Sequence, residues 1–273
     1  MIFEVTHPDI KRAVEQALAE DLGSGDLTTA ACIPADLQAE ARFVAKQDIV
    51  LAGVELLTIL FDSPALQKHS GDRVRPGEQI AHVRGSARTL LSRERVSLNF
   101  LQRLSGVATL AARFVAAVEG TGVRILDTRK TTPGLRLLEK MAAAAGGVVN
   151  HRIGLYDAIL IKNNHIRLAG DVRTAIERAR STGKPVEIEV RTRAEIDDAL
   201  ACGVQRLLLD NMSPDQASGE IAFIARRAET EISGGITLEN VRAYAQARPD
   251  FISSGAITHS APAVDINCGI YAL

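Results

Sequence analysis

Short apolar runs recur through the second half of the chain, and each one is followed by polar or glycine residues. Helical segments separate most of these runs, which are VRIL (123–126), AILI (158–161), VEIEV (186–190), RLLL (206–209), EIS (231–233) and FIS (251–253). Strands that alternate with helices predict parallel βα units, and so many units in a short stretch favour a compact α/β barrel. An open doubly wound sheet is the alternative, although no GxGxxG motif follows the first strand.

The first hundred residues have a different pattern. Residues 8–20 carry apolar side chains at helical spacing after a proline, which predicts a helix. Strand-like runs follow at 40–46, 49–53 and 79–85. This region therefore predicts an α+β domain with an antiparallel sheet. Residues 92–120 predict a long helical stretch, broken near Ser105 and Gly106 into two helices.

Composition narrows the class of protein. The chain has 273 residues, of which 46% are hydrophobic and 24% charged, and its formal net charge is −1. A nearly neutral chain argues against a general nucleic-acid or membrane-surface binder. No apolar run approaches the roughly 18–20 residues of a membrane span, and the N-terminus is charged too early for a signal peptide. The three cysteines are widely spaced without a CxxC motif, so we expect a soluble cytoplasmic protein.

The residues after each predicted strand are sorted by chemistry. The early strands bring cations, which are Arg129, Lys130, His151, Arg152 and Lys162. In a βα barrel the carboxyl ends of all strands open on one face, and that face holds the active site. Arginine forks suit carboxylates and phosphates, while lysine supplies a mobile point charge. We therefore expect several anionic groups to bind at the early strands.

The later strands bring acids and then glycines. Glu189 and Asp210 end neighbouring βα units, and carboxylates at this place can hold Mg²⁺ or ribose hydroxyls. The last two strands end in glycine and hydroxyl residues, which are Ser233, Gly234, Gly235, Ser254 and Gly255, with His259 following. Glycine-rich ends let backbone N–H groups approach a phosphate. The order of these residues along the chain therefore predicts that a sugar binds between a phosphate at the last strands and the anionic groups at the early strands.

Structural readings of the same residues stay open. Glu189 could face solvent in alternation with Glu187, and Asp210 or Ser213 could cap the next helix. His259 could be an ordinary loop histidine. Thr132 and Pro133 have a structural reading as the N-cap and first residue of a helix.

Seven long segments of the chain resemble one known family. They are EDLGSGDLTT (20–29), RERVSLNFLQRLSGVAT (93–109), DTRKTTPGLR (127–136), NHRIGLYDAILIKNNHI (150–166), RLLLDNM (206–212), EISGGI (231–236) and FISSGAITHSAPAVDI (251–266). In this order they resemble the quinolinate phosphoribosyltransferases. The resemblance implies an N-terminal α/β open-faced sandwich domain at 1–106, to which residues 262–273 return. It also implies an irregular α/β barrel of parallel strands at 107–261.

The resemblance also implies a reaction and an assembly. The family joins quinolinate to phosphoribosyl pyrophosphate and releases pyrophosphate and carbon dioxide, which gives nicotinate mononucleotide for NAD biosynthesis. Mg²⁺ is the implied cofactor, placed at Glu189 and Asp210 partly through substrate. A homodimer or a dimer-based oligomer with shared active sites is implied, in which an arginine matching Arg95 comes from the partner subunit.

By the same resemblance each candidate residue receives a role. Quinolinate binding falls on Arg129, His151 and Arg152, with Lys162 nearby. Pyrophosphate binding falls on Lys130 and Lys162, and the 5′-phosphate falls on Ser233, Gly234, Gly255 and His259. Lys130, Lys162, Glu189 and Asp210 are the expected catalytic residues. No nucleic acid and no membrane are expected as partners.

Two departures from the family pattern stand beside the likeness. EKMAAAAGGVVNHR (139–152) replaces a stretch that is commonly EKYAVRCGGG before NHR, and Asn163 stands where Asp is usual. A nicotinate phosphoribosyltransferase, which uses a mono-acid, is a second enzyme interpretation. A non-catalytic phosphate-binding barrel is a third. The number of cations near the ring site favours a diacid substrate.

Overall fold

The chain folds into two units in the computed structural model, which describes residues 4–273. We call them the N-terminal unit and the barrel unit. The N-terminal unit comprises the described residues up to 112 together with 131–147 and 258–273, and the barrel unit comprises 113–130 and 148–257. The chain therefore enters the barrel unit twice and ends in the N-terminal unit.

The elements up to residue 117 alternate short strands with helices. They are α1 Pro8–Leu22, α2 Leu27–Cys32, β1 Gln38–Ala45, β2 Ile49–Val50, a 3₁₀ turn Val54–Leu56, α3 Leu57–Leu60, β3 Ala65–Leu66, β4 Arg73–Val74, β5 Gln79–Ser86 and α4 Ala87–Ala117. The predicted helix at 8–20 is confirmed, and His7 caps it by accepting the N–H of Asp9.

Regular βα units follow in the remaining chain. They are β6 Arg124–Leu126, α5 Arg136–Ala145, β7 Ile159–Ile161, α6 Asn163–Ala169, α7 Val172–Arg180, β8 Val186–Val190, α8 Arg193–Ala201, β9 Arg206–Asp210, α9 Pro214–Ile224, β10 Glu229–Ser233, α10 Val241–Gln246, β11 Phe251–Ser253, α11 Ala256–His259 and β12 Ile266–Ala272. All six strands predicted after residue 120 are present.

Two antiparallel sheets form in the N-terminal unit. The larger has the order β12-β1-β5-β3, and β2 pairs with β4 in the smaller one. The C-terminal strand runs antiparallel to β1, with Ala45 opposite Ile266 and Ala39 opposite Ala272. The C-terminal tail is thus an edge strand of this sheet. Alternate β1 residues such as Ala41 and Phe43 are buried, as expected where one face of an antiparallel sheet covers a core.

Helix α4 is continuous, and the predicted break near Gly106 is wrong. A Cβ atom on Gly106 would lie 2.1 Å from the carbonyl oxygen of Pro262. The glycine is therefore needed for the close approach of another backbone segment, and it does not end the helix. Glycine in a helix interior costs only about 1 kcal/mol relative to alanine, which the surrounding packing offsets.

The six strands of the barrel unit form one parallel sheet with the order β6-β11-β10-β9-β8-β7. Of the six barrel strands, the first and the last along the chain, β6 and β11, are hydrogen-bonded to each other, with Ile125 opposite Ile252. On the other edge of β6, Val149 makes a parallel bridge to Leu126. This pairing of first strand with last is barrel topology, and the single-residue bridge makes the barrel irregular. The predicted barrel is confirmed, and the open sheet is excluded.

Side-chain caps fix where the barrel helices begin. Asp171 accepts the N–H of Thr174 at the start of α7, and Thr192 and Ser213 begin α8 and α9 with capping boxes. Ser213 is therefore the cap of α9, and Asp210 remains in its strand. These caps set the strand ends at the residues that matter for the site.

The reading of Thr132 and Pro133 as a helix start is wrong. Helix α5 begins at Arg136 with Leu135 as its N-cap. Thr132 instead uses its N–H and hydroxyl to donate to the buried carboxylate of Glu139, at 3.0 and 2.7 Å.

The helices of residues 4–273 include none with the length and apolar content needed to cross a membrane.

Candidate active site

Arg129 and Arg152 lie in the same part of the barrel unit. Arg129 follows β6, and Arg152 follows the bridge of Val149 beside that strand. Burial, and after it the charge of Arg129, lowers the pKa of Arg152 from its ordinary value. The Nη1 group of Arg152 donates to the carbonyl oxygen of Ala158 over 3.1 Å. Two guanidinium groups that repel each other at one place form a counter-charge for an anion with two carboxylates.

The carboxylate of Asp127 ties these two segments together. Asp127 is completely buried directly after β6. It accepts the N–H of His151 at 2.8 Å and the side-chain amide of Asn150 at 2.6 Å. Charge-assisted hydrogen bonds of this kind are among the stronger ones. The acid therefore holds the segment that carries His151 against the strand end that carries Arg129.

Lys162 and Glu189 form an ion pair at the ends of neighbouring strands. Lys162 Nζ lies 3.1 Å from Glu189 Oε2, and the amide of Asn163 donates to the other oxygen of Glu189. Glu189 is buried, as are all five residues of β8. The reading in which Glu189 alternates with Glu187 to face solvent is therefore wrong, because both acids lie on the buried inner face of the barrel strand.

Asp210 belongs to the same charge network through Arg191. The Nη2 group of Arg191 lies 2.8 Å from Asp210 Oδ2 and 3.4 Å from Glu189 Oε1. A cavity of about 540 Å³ adjoins this network, lined among others by Lys162, Glu189 and Arg191. Predicted cations and acids thus meet here, and a polar ligand has room beside them.

The ends of β10 and β11 carry the predicted glycine and hydroxyl residues. Gly234 has φ +102°, and a Cβ atom there would lie 2.3 Å from Asn211 Oδ1. Glycine is therefore required at this position. Ser254 is buried, and its hydroxyl donates to the carbonyl oxygen of Ile236 over 2.7 Å. This bond joins the ends of β10 and β11, next to Ser233 and Gly255.

Three other predicted residues are exposed. Lys130 follows Arg129 in the barrel unit, and its backbone N–H donates to Thr128 Oγ1 over 3.0 Å. Arg95 lies on α4 and His259 ends α11, both within the N-terminal unit. His259 Nδ1 lies 2.6 Å from the hydroxyl of Ser260.

His151 lies between two buried glutamates, Glu187 and Glu231. Its Nε2 atom is 3.2 Å from Glu187 Oε2 and 3.6 Å from Glu231 Oε2. Burial, and after it the charge of Glu187, raises the pKa of Glu231 well above its ordinary value. Burial acts to raise the pKa of Glu187 too, but the hydrogen bond and charge of His151 outweigh it and lower that pKa.

Sequence reasoning also gave no role to Asp127 and Arg191. Both follow a buried strand directly, as the candidate residues do, so the strand-end rule could have found them. Glu187 and Glu231 interrupt apolar strand runs, and that interruption is the signal for a buried acid.

Family profiles match almost the whole chain. The profile described as "Quinolinate phosphoribosyl transferase, N-terminal domain" covers residues 26–105, and that described as "Quinolinate phosphoribosyl transferase, C-terminal domain" covers 107–268. The chain belongs to the quinolinate phosphoribosyltransferase family. It is therefore a phosphoribosyltransferase, an enzyme of the pentosyl-transfer class.

Individual members of the family are similar to this chain over most of their lengths. A probable nicotinate-nucleotide pyrophosphorylase [carboxylating] from Bacillus subtilis is 39% identical, with 97% of this chain and 95% of the relative covered. The chloroplastic enzyme of that name from Arabidopsis thaliana is 41% identical, with 97% and 84% covered. The crystal structure of NadC from Streptococcus pyogenes superposes with a TM-score of 0.93 at 40% identity, covering 99% of both chains.

The two departures from the family pattern now have places in the structure. The alanine-rich segment lies in α5, and Met141, Ala142 and Ala143 are buried there. Asn163 donates to Glu189. An aspartate at position 163 would instead place a second carboxylate against Glu189, so the asparagine removes a like-charge contact from the site.

Proposed function

We propose that this chain catalyses the carboxylating reaction of its family, in which quinolinate and phosphoribosyl pyrophosphate give nicotinate mononucleotide, pyrophosphate and carbon dioxide during NAD biosynthesis. The observation that carries the proposal is the match of both family profiles and of a nearly full-length relative named for this reaction. Arg129 and Arg152 support it, because both lie beside the end of one barrel strand. Two cations that destabilise each other are best neutralised by a dianion, and quinolinate has two adjacent carboxylates.

In this proposal Arg129 and Arg152 bind the two carboxylates, with His151 beside them. Binding at two fixed points orients the pyridine ring so that its nitrogen faces the anomeric carbon of the sugar. Positioning of this kind supplies a large share of catalysis when no covalent enzyme intermediate is formed. The ring nitrogen bonds to the anomeric carbon as pyrophosphate leaves.

Decarboxylation then requires little from the protein. The quaternised ring nitrogen accepts the electron pair of the bond to the departing carboxylate, carbon dioxide leaves, and a proton takes its place. The arginines that held the carboxylate set its orientation during this step.

Lysines at the strand ends serve the leaving group. Lys130 and Lys162 bind pyrophosphate, and the partner subunit's Arg95 completes the site in a homodimer or a dimer-based oligomer. Lys162 is already paired with Glu189 at 3.1 Å, so it can exchange a carboxylate partner for a phosphate partner without leaving the site. Ser233, Gly234, Gly255 and His259 bind the 5′-phosphate, which suits the glycine backbone at position 234.

Glu189 and Asp210 fit both ribose hydroxyls and Mg²⁺. Carboxylate oxygens are the ligands that Mg²⁺ prefers, and the ion usually takes one or two of them together with water and substrate phosphates. Both acids are paired with Lys162 or Arg191 here, so the ion would enter with the anionic substrate. When bound it would neutralise charge that develops on the departing pyrophosphate.

The three cysteines are free thiols, which suits a protein that works in the reducing cytoplasm.

The test is product formation from defined substrates. The protein is incubated with phosphoribosyl pyrophosphate, Mg²⁺ and either quinolinate or nicotinate, and the nucleotide and carbon dioxide are measured. We expect nicotinate mononucleotide and one carbon dioxide per turnover from quinolinate, and loss of turnover when a chelator removes Mg²⁺. Turnover of nicotinate in preference to quinolinate would contradict the diacid proposal, and binding without turnover of either would indicate a non-catalytic barrel.

A further inference from the structure

Arg191 connects the two acids of the candidate site within the barrel unit. Its Nε and Nη2 atoms lie 3.0 and 2.8 Å from Asp210 Oδ2, and Nη2 also lies 3.4 Å from Glu189 Oε1. The side chains of Glu189 and Asp210 are 8% and 12% exposed, whereas that of Arg191 is 53% exposed. The guanidinium therefore meets two nearly buried acids from the solvent side.

Two cations balance the two acids in this network. Lys162 pairs with Glu189, and Arg191 pairs with both Glu189 and Asp210. The hydrogen bond to Asp210 raises the pKa of Arg191 from its ordinary value. Since the attraction of a further cation depends on the net charge that remains, this balanced network offers little to a divalent cation that arrives alone. Such an ion would also have to exchange tightly held water for carboxylates that are already paired.

Arg191 is fixed at its backbone, while its side chain is free to change partner. Glu195 Oε2 accepts the backbone N–H of Arg191 over 2.7 Å, next to the capping box that begins α8. The cavity of about 540 Å³ beside the network is lined by Arg191 and Lys162 among others. The half-exposed guanidinium can therefore turn into the cavity while its backbone stays in place. An arginine fork in such a cavity suits the oxygens of a phosphate group.

We propose that Arg191 is a further diphosphate-binding residue of this site and the resident counter-cation of Glu189 and Asp210. While no substrate is bound, its guanidinium neutralises the two acids and prevents divalent cations from binding there alone. When phosphoribosyl pyrophosphate enters, the guanidinium turns to the diphosphate and leaves the acids available to Mg²⁺ or the ribose hydroxyls. This rests on the proposed function, because the diphosphate is that of phosphoribosyl pyrophosphate.

The exchange is physically inexpensive, because Arg191 leaves one anionic partner for another. Ion pairs of half-exposed side chains contribute little to stability, so the release of Asp210 costs little. The diphosphate brings its own negative charge, which attracts the arginine and the metal ion together. Arg191 thus couples the binding of the metal ion to the binding of the substrate.

Manganese binding without substrate tests the counter-cation. Mn²⁺ serves as a paramagnetic probe for Mg²⁺, and electron paramagnetic resonance measures the free ion during a titration. We expect Arg191→Gln to bind Mn²⁺ at least about 10-fold more tightly than the unsubstituted protein, because the acids are left with a net negative charge. Arg191→Lys keeps a cation and should stay within about 3-fold of the unsubstituted protein. Equal Mn²⁺ affinity in Arg191→Gln and the unsubstituted protein would overturn the proposal.

Arg193→Gln is the matched control for both tests. Arg193 lies two positions further along the chain, is also about half exposed, and is paired with Glu220 instead of the acids of the site. Its substitution should leave the affinity for Mn²⁺ and for phosphoribosyl pyrophosphate unchanged. Thermal unfolding checks that all three variants are folded.

Calorimetry of phosphoribosyl pyrophosphate binding in the presence of Mg²⁺ tests the diphosphate contact. We expect affinity to fall by about 10–100-fold in Arg191→Gln, the loss of a hydrogen bond to a charged group. Arg191→Lys should lose about 3–10-fold, because lysine keeps the charge but not the fork. Full affinity in Arg191→Gln would overturn the proposal. If the unsubstituted protein bound no phosphoribosyl pyrophosphate, the proposed function would fail, and the Mn²⁺ titration would still decide whether Arg191 is the counter-cation.

Discussion

Glu139 in the N-terminal unit and Glu231 in the barrel unit are both completely buried, but their surroundings are opposite. The Oε1 atom of Glu139 accepts from Arg103 Nη2 and from the hydroxyl of Thr132, each over 2.7 Å, and Oε2 accepts the N–H of Thr132. Neither carboxylate oxygen of Glu231 has a hydrogen bond of standard geometry within residues 4–273, and its nearest cationic group is His151, whose Nε2 atom lies 3.6 Å from Oε2.

The difference is one of hydrogen bonding, which is well formed at Glu139 and not at Glu231. A buried carboxylate with both oxygens hydrogen-bonded holds its neighbours in place, and removing it leaves those neighbours unpaired. A buried carboxylate that lacks well-formed hydrogen bonds costs stability, and such costs are tolerated near functional sites. Glu231 lies next to His151. The destabilising carboxylate is therefore close to the segment that carries Arg152.

The largest effect on stability is expected at the satisfied acid. Glu139→Ala removes the partner of Arg103 and Thr132, and breaking a buried pair costs about 3–5 kcal/mol in the free energy of unfolding. Urea unfolding measures this loss. Glu15→Ala, at an exposed position on α1, is the control and should change stability by less than about 0.5 kcal/mol. A loss below about 1 kcal/mol at Glu139 would show that the carboxylate is not structural.

The next effect is on activity in the barrel unit. Arg129→Ala should lower kcat/KM for quinolinate by about 10²–10³-fold, because a charged partner of the substrate is lost, while the unfolding curve stays in place. Steady-state kinetics with Arg124→Ala as control test this, since Arg124 begins the same strand that Arg129 follows. Near-normal kcat/KM in Arg129→Ala would remove that residue from the site.

A smaller effect is expected where the N-terminal unit is closely packed. Gly106→Ala places a Cβ atom 2.1 Å from the carbonyl oxygen of Pro262, and overpacking costs typically about 1–3 kcal/mol. Gly219→Ala in α9 is the matched control, because a Cβ atom there meets nothing within 4 Å. Helix propensity alone predicts that both substitutions raise the free energy of unfolding by up to about 1 kcal/mol. A gain at Gly106 would contradict the close backbone contact.

The smallest effect is a pH dependence at the unsatisfied acid. The pKa of Glu231 is raised in the folded protein by burial and by Glu187, so the folded state binds a proton that the unfolded state releases above the ordinary glutamate pKa. Stability therefore falls as pH rises from that value towards the raised one, by about 1.4 kcal/mol for each pH unit. Glu231→Gln should remove this slope in unfolding measured across pH. Glu229→Gln, an exposed acid on the same strand, should keep it.

The order of elements was predictable because strand and helix periods are local. The runs VEIEV and FIS became β8 and β11 with unchanged bounds. The continuity of helix α4 through Gly106 was not predictable. The glycine is needed for a contact with Pro262, which lies far away along the chain. Residue type cannot distinguish a glycine that ends a helix from one that admits another backbone.

The candidate site divides in the same way. Strand ends brought Arg129, Lys162, Glu189 and Asp210 into consideration from the sequence. The buried acids were missed, because a glutamate in a strand is usually read as solvent-facing by alternation. In a barrel that alternation points inward, so Glu187 is buried. Only the arrangement of neighbouring strands identifies its partner.

The most direct measurement of the central claim is a crystal structure with quinolinate bound. We predict that its two carboxylates contact the guanidinium groups of Arg129 and Arg152, with the His151 ring still hydrogen-bonded to Glu187 and to the Arg152 N–H. Quinolinate bound with neither arginine within hydrogen-bond distance would contradict the account.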